Sequence, residues 1–257
     1  MRWLIKSRLV QALLILLVLL FGPVLIAGGL YYFSDEQPPW WDAKFQSSGQ
    51  APLAQNHEAA VVQIYAARAY RWRGIFAVHT WITYKKRGSN AYERFDVIGW
   101  NLVPLTRNRG AGDADWFGRA PSLIYDERGE KAEQIIPKLE QAIANYPYGG
   151  RGGYTTWPGP NSNTFVAHVL RQIPEIDAAM PPHAVGKDFG TSWFSVLETP
   201  SNTGWQVSFK GYAGFAVGLV EGLELHFLGE TLGVDFLRPA LKFPALGRIG
   251  MNRVKKH

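Results

Sequence analysis

The chain has 257 residues, of which 47% are hydrophobic and 14% aromatic, a composition that excludes a mainly disordered protein and can fill one sizeable core. Its formal net charge of +6 is concentrated at the termini, because nine of the 27 Lys and Arg residues lie in residues 1–33 and 238–257. The remaining 18 basic and 21 acidic residues give residues 34–237 a net charge of −3, which argues against a nucleic-acid partner.

An apolar stretch without a charged residue lies near the start of the chain, from Leu9 to Phe33. At about 1.5 Å per residue, a helix of this length crosses a hydrocarbon core of about 30 Å, so residues 1–33 are predicted to form a transmembrane anchor. The alternative is a cleaved signal peptide with Ala27-Gly28-Gly29 as its cleavage site, although a typical signal core is shorter, roughly 7–15 residues.

The charges that flank this stretch predict its orientation. Basic residues precede it and acidic residues follow it: Arg2, Lys6 and Arg8 before, and Asp35, Glu36 and Asp42 after. The positive-inside rule then places the N-terminus in the cytoplasm. The remaining chain is predicted to lie in the periplasm, anchored by a single pass through a bacterial inner membrane.

The elements that follow predict an α+β domain over residues 59–236, with an antiparallel sheet packed on helices. A juxtamembrane linker, residues 34–58, precedes the domain, and residues 101–119 are predicted to be a long polar loop. Helices are predicted at 130–146, which Pro137 would kink or split, and at 162–173, after Asn161 as the cap. The predicted strands are 61–67, 75–84, 92–100, 122–125, 192–198, 205–212 and 221–228.

The last segment, residues 237–257, is predicted to be a basic tail in which apolar residues alternate with Lys and Arg. Two alternatives stay open for it: contact with anionic lipid headgroups, or a solvated, disordered tail, because Pro239 and Pro244 interrupt a continuous helix. The apolar, glycine-rich stretch from Gly211 to Gly233 could also lie against the membrane, but it is too interrupted to predict a second span.

A candidate catalytic site is suggested by Ser162 at the start of a predicted helix and His79 within a predicted strand. A helix N-terminus offers free N–H groups and a positive dipole end, which suit an anionic tetrahedral intermediate. Ser162 would be the nucleophile and His79 its base. A hairpin turn near Arg87 or Gly88 would place residue 96 or 97 opposite His79, which makes Asp96 the third residue and Glu93 the alternative.

The order of a strand with His79 followed by Asn161-Ser162-Asn163-Thr164-Phe165 at a helix start resembles the circularly permuted papain-like superfamily. That superfamily includes NlpC-type cell-wall peptidases and lecithin retinol acyltransferase-like proteins, and the resemblance covers roughly residues 60–173. It implies a permuted papain-like fold, with Ser162 where the superfamily has its nucleophilic Cys. The string PGPNSNTF together with the N-terminal anchor also resembles a bacterial membrane-anchored family of uncharacterised activity.

Two functions are compatible with these residues. The first is a periplasmic hydrolase or acyltransferase that acts on an amide or ester bond of a cell-envelope peptide or lipid, with Trp157, Asn161 and Asn163 contacting the substrate. The second is a catalytically degenerate domain that binds an envelope component or a membrane partner. In that case Ser162 is a helix cap and His79 a core histidine.

Other chemistry receives little support from the sequence. The chain has no cysteine, which excludes thiolate catalysis and Cys-ligated zinc. Its six histidines lack the His-x-x-x-His spacing of a metal site, so neither a metal nor another cofactor is predicted.

Overall fold

The structure, a computed structural model, describes residues 2–34, 37–43 and 45–252, with side chains from residue 8 onward. Asp35 and Glu36, which contribute to the predicted orientation, lie outside the described residues, as do residues 253–257 of the predicted tail. The described part contains helices and antiparallel sheets, which confirms the α+β prediction at that level.

The N-terminal helix α1 runs from Arg2 to Tyr32. Its 25 residues from Arg8 to Tyr32 are apolar enough to cross a membrane, and a signal sequence would show the same length and composition. Most of its side chains are exposed, whereas Leu20 and Ala27 are buried. The helix contacts the rest of the protein at α2 (Arg73–Phe76) and at β11 (Ala240–Phe243).

The first sheet has five antiparallel strands in the order β4-β3-β2-β1-β5. The predicted strands in this region are all present, and β4 is an additional strand inside the segment predicted as a polar loop, where it pairs with the end of β3. The strands are β1 (Val61–Arg68), β2 (Val78–Lys85), β3 (Glu93–Val97), β4 (Leu105–Arg107) and β5 (Ser122–Arg128).

Two helices cover one face of this sheet: α3 (Glu130–Ala144) and α4 (Ser162–Arg171). Alternate residues of β2 divide between the two faces, so Val78 and Ile82 pack in the core beneath the helices, while Trp81 packs on the opposite face. Helix α3 is a single helix despite Pro137, because its buried stripe of Ala132, Ile135, Leu139 and Ile143 packs in that core.

The second sheet is a meander of seven antiparallel strands in chain order, β6 to β12. Residues 237–252 contribute β11 and β12 and so differ from the predicted tail. The reason is that β11 pairs with β10 and β12 pairs with β11, which satisfies their backbone groups, and Lys242 turns inward to Glu224. The strands are β6 (Ser195–Glu198), β7 (Gly204–Phe209), β8 (Ala213–Gly218), β9 (Gly222–Phe227), β10 (Glu230–Asp235), β11 (Ala240–Phe243) and β12 (Gly247–Gly250).

Candidate active site

The start of α4 is fixed by a reciprocal cap between Asn161 and Thr164. The side-chain oxygen of Asn161 accepts from the backbone N–H groups of Asn163 (2.9 Å) and Thr164 (3.2 Å), and the Thr164 hydroxyl accepts from the Asn161 N–H at 3.1 Å. This arrangement satisfies two N–H groups of the first turn. The N–H of Ser162 points to no acceptor among the residues that the structure describes.

Asn163 connects the start of α4 to β2. Its side-chain nitrogen donates to the carbonyls of Val78 (3.0 Å) and Val185 (2.8 Å), and its side-chain oxygen accepts from the Thr80 hydroxyl at 2.9 Å. The first turn of α4 is therefore bonded to the residues on both sides of His79. Asn161 also donates from its side-chain nitrogen to the carbonyls of Thr156 and Val185. The polar side-chain atoms of Asn161 and Asn163, both predicted to bind substrate, are therefore used in hydrogen bonds that position the start of the helix.

His79 and Asp96 form a buried pair on the other face of the first sheet. The Nε2 atom of His79 lies 2.8 Å from Oδ1 of Asp96, and Arg94 donates two hydrogen bonds to the same carboxylate, at 2.7 and 2.9 Å. The imidazole stacks on Trp116, with ring centroids 3.9 Å apart. Asp96 is therefore held between an imidazole and a guanidinium, and the alternative Glu93 instead pairs with Arg107.

The charges of this pair follow from its burial and its partners. Burial lowers the pKa of His79 and outweighs the opposing effect of Asp96, so the imidazole is neutral at neutral pH. Burial alone would raise the pKa of Asp96, but the hydrogen bond from His79 and the charge of Arg94 lower it. An ionised Asp96 accepts from Nε2–H, which assigns the free lone pair of His79 to Nδ1.

Ser162 and His79 line the same cavity but do not form a hydrogen bond with each other. Within the described residues, the Ser162 hydroxyl has no hydrogen-bond partner, and the residue is 6% exposed. The two residues belong to opposite faces of the first sheet. They share the cavity because β3 pairs with β2 only at Ile82–Tyr84, which leaves the edge of β2 beside His79 open.

The cavity has a volume of about 1260 Å³ and is largely apolar. Trp157 lines it and donates from Nε1 to the Leu228 carbonyl at 2.9 Å, which connects the loop before α4 to the second sheet. On its other side the wall includes three residues from the middle of α1: Leu20, Phe21 and Val24. The candidate nucleophile therefore shares a cavity with the apolar N-terminal helix.

Several residues of the site carry no local sequence signal. Trp116, which stacks on His79, lies in the predicted loop, and the carbonyl of Val185 comes from a segment with no predicted element. Glu230 also lines the cavity, and burial raises its pKa to about 7. Among the described residues, no group of three or more His, Asp or Glu side chains is placed to hold a metal ion.

The described residues form an α+β protein in which Ser162, at the start of α4, and His79, which pairs with Asp96, line one cavity. Residues 59–189, just over half of the chain, match a family described as "Protein of unknown function (DUF3750)", and the chain belongs to that family. The matched range contains the first sheet, α3, α4 and every predicted site residue. Comparison with curated proteins and with solved structures gives no match.

Proposed function

We propose that this protein is a membrane-anchored hydrolase or acyltransferase of permuted papain-like type that acts on an amide or ester bond of an envelope lipid or peptide. Ser162 is the nucleophile, His79 the base, and Asp96 the residue that orients the imidazole. The observation that carries the proposal is the combination of a free hydroxyl and a free backbone N–H on Ser162, in a cavity shared with His79.

The reaction proceeds in two acyl-transfer steps. The Ser162 Oγ attacks the carbonyl carbon, Nδ1 of His79 takes the hydroxyl proton, and the Ser162 N–H donates to the oxygen on which charge develops. His79 then returns the proton to the leaving alcohol or amine, which leaves an acyl-serine. Water resolves this ester in a hydrolase, and an acceptor alcohol or amine does so in an acyltransferase, with His79 again serving as base.

Substrate binding has to bring the two side chains closer, because they do not form a hydrogen bond with each other in the structure. Catalytic hydrogen bonds commonly shorten only in the substrate complex. The first turn of α4 is held firmly by Asn161 and Asn163, so the closing movement belongs to the side chains and to the open edge of β2.

The proposed location follows from α1 as a retained span. Its N-terminus lies in the cytoplasm and the α+β domain in the periplasm, in accord with the charges on either side of the apolar stretch. The contact of α1 with the cavity favours a lipid over a soluble peptide, since the substrate then meets an apolar wall that continues into the anchor.

A second candidate is a binding domain without catalysis, and one observation favours it. Asp96 is already paired with Arg94 through two hydrogen bonds, which reduces the negative charge available to stabilise a protonated His79. In that case the same cavity holds an envelope lipid, and Ser162 serves only at the helix start.

Labelling with a fluorophosphonate probe separates the two candidates, because such probes react with activated serine hydroxyls. The full chain in liposomes should be labelled at Ser162, and labelling should be lost in Ser162→Ala and in His79→Ala. Ser192→Ala, which removes an exposed serine outside the cavity, is the matched control and should label like the wild type. Labelling of Ser162 that persists in His79→Ala would remove His79 as the base, and no labelling at all would favour the binding domain.

A further inference from the structure

The second sheet has the reverse of the usual distribution of side chains. Its covered face is polar and its uncovered face is apolar. In β9 the two alternate strictly, with Glu224 and His226 buried and Leu223, Leu225 and Phe227 exposed. A sheet in contact with water on one face normally places its apolar residues on the other. The exposed face therefore requires a contact partner.

The apolar residues form two continuous rows across the strands, according to the register of the sheet. The first row contains Val196, Val207, Phe215, Leu225 and Leu232. The second contains Trp205, Val217, Leu223, Val234, Leu241 and Ile249. We call these two rows the apolar face. It reaches from β6 to β12, far beyond the scattered apolar residues of an ordinary surface.

The buried face of the same sheet has well-defined partners. Glu224 accepts from Lys187 and Lys242, and all three side chains are almost completely buried. Burial alone would raise the pKa of Glu224, but the charges of the two lysines lower it, so the Glu224 carboxylate is ionised. The buried charges of Lys187, Glu224 and Lys242 are thus paired inside the protein, and these pairs fix which face of the sheet is turned inward.

The neighbouring helix α1 indicates what covers the apolar face. Phe21, near the middle of the apolar stretch of α1, packs edge-on against Phe227 at the end of β9, with ring centroids 6.5 Å apart. The helix also contacts β11. Because the middle of a membrane-spanning helix lies among acyl chains, the sheet residues that touch it share that environment.

We propose that the apolar face rests in the lipid bilayer beside α1, with its side chains among the acyl chains of one leaflet. The proposal rests on α1 being a retained membrane anchor. The edge strands β6 and β12 each have one side without a partner strand, and their free backbone groups need water or headgroups. The sheet therefore does not cross the bilayer, and its two edge strands lie where headgroups or water reach their free backbone groups.

Residues around the apolar face suit a bilayer better than a second copy of the chain. Trp193, exposed in the loop before β6, packs beneath the ammonium group of Lys210, which lies 5.1 Å from its ring. Tryptophan and basic side chains are typical of the headgroup level of a membrane. Phe227 is exposed on the same side of β9 as Leu223 and Leu225, and it also lines the cavity, so a lipid that leaves the leaflet at Phe227 reaches the cavity of Ser162 without entering water.

Site-directed fluorescence in the full chain tests the proposal, and the absence of cysteine allows single labelling sites. The probe is the polarity-sensitive dye NBD, attached to Val217→Cys on β8, where the valine is 53% exposed. The vesicles contain phosphatidylethanolamine and phosphatidylglycerol, with or without lipids that carry a doxyl quencher on the acyl chain. Leu14→Cys on α1 is the membrane control, and Gln134→Cys on α3, on a different surface, is the solvent control.

We expect the dye at position 217 to be quenched by the acyl-chain quencher as strongly as at position 14, within about twofold, with little quenching at position 134. Quenching at position 14 without quenching at position 217 overturns the membrane contact and leaves the anchor intact. Disulfide cross-linking of Val217→Cys between two chains, with no quenching, would mean that a second copy covers the face. The readout does not depend on reaction at Ser162, so a failure here is distinct from a failure of the catalytic proposal.

Discussion

The imidazole of His79 reaches Asp96 diagonally across two strands: Nε2 and Oδ1 are 2.8 Å apart, although the register of the β2–β3 ladder, extended towards His79, places Trp81 opposite Asp96. Diagonal neighbours on one face of a sheet are within reach of long and aromatic side chains. Arg94, on the same face of β3, completes the set by pairing with the other side of the carboxylate. The base of the candidate site is thus positioned by a buried charge pair.

Loss of Asp96 should therefore destabilise the protein strongly. Asp96→Ala leaves Arg94 buried without its partner, and we expect the free energy of unfolding to fall by about 3–5 kcal/mol. Urea unfolding of the full chain in detergent measures it. Glu93→Ala, which removes the partially exposed carboxylate paired with Arg107, is the matched control and should cost about 1 kcal/mol or less. Equal losses in the two variants would contradict a structural charge pair at Asp96.

Gly186 should be required for the cap of α4. It has φ +93°, and a Cβ atom there would lie 2.6 Å from Nδ2 of Asn161. Gly186→Ala is expected to displace that side chain and to lower the free energy of unfolding by about 1–3 kcal/mol more than Gly129→Ala. Gly129 has φ +77° and open space around its Cβ position, so Gly129→Ala causes only the strain of an alanine at a positive φ. A similar loss of unfolding free energy in both variants would mean that the Asn161 side chain moves aside without losing the cap.

The carboxyl of Glu230 should make stability depend on pH. Burial raises its pKa from 4.5 to about 7, so it binds a proton more tightly in the folded than in the unfolded state. The contribution of the protonated carboxyl to the free energy of unfolding is complete below about pH 4.5. It is lost as the pH rises to about 7, which lowers the free energy of unfolding by up to about 3 kcal/mol. Glu230→Gln, which stays neutral, should remove this part of the pH dependence of urea unfolding. Glu133→Gln, at a partly exposed glutamate on α3, should leave this part of the pH dependence in place, and an unchanged pH profile in Glu230→Gln would refute the raised pKa.

Local sequence patterns predicted the positions of the helices and strands better than the register and the contacts between them. The cap residues Asn161 and Thr164 specify α4 by themselves, and alternation specifies the early strands. The register of β2 with β3 depends on the length of the turn, and the predicted pairing of His79 with residue 96 or 97 was displaced by one or two residues. Asp96 reaches His79 because a displacement of two keeps it on the same face.

The second sheet was harder to predict because its polarity is reversed. Lys242 lies in a segment of alternating basic and apolar residues that indicates a solvated tail or a lipid-binding tail, yet its ammonium group is buried against Glu224. Nothing local distinguishes a basic residue that faces a buried carboxylate from one that faces water. The contact of Phe21 with Phe227 is likewise a property of the folded chain, since more than 200 residues separate them.

The most direct test of an activated Ser162 is the thiol pKa of Ser162→Cys in the otherwise cysteine-free chain. A helix N-terminus and a nearby imidazole that can accept the proton both favour the thiolate, so the pKa should fall at least one unit below the ordinary value of about 8.5. His79→Ala in the same background should move it back towards that value. A thiol that titrates at about 8.5 or above, with no response to His79→Ala, would contradict activation at this site.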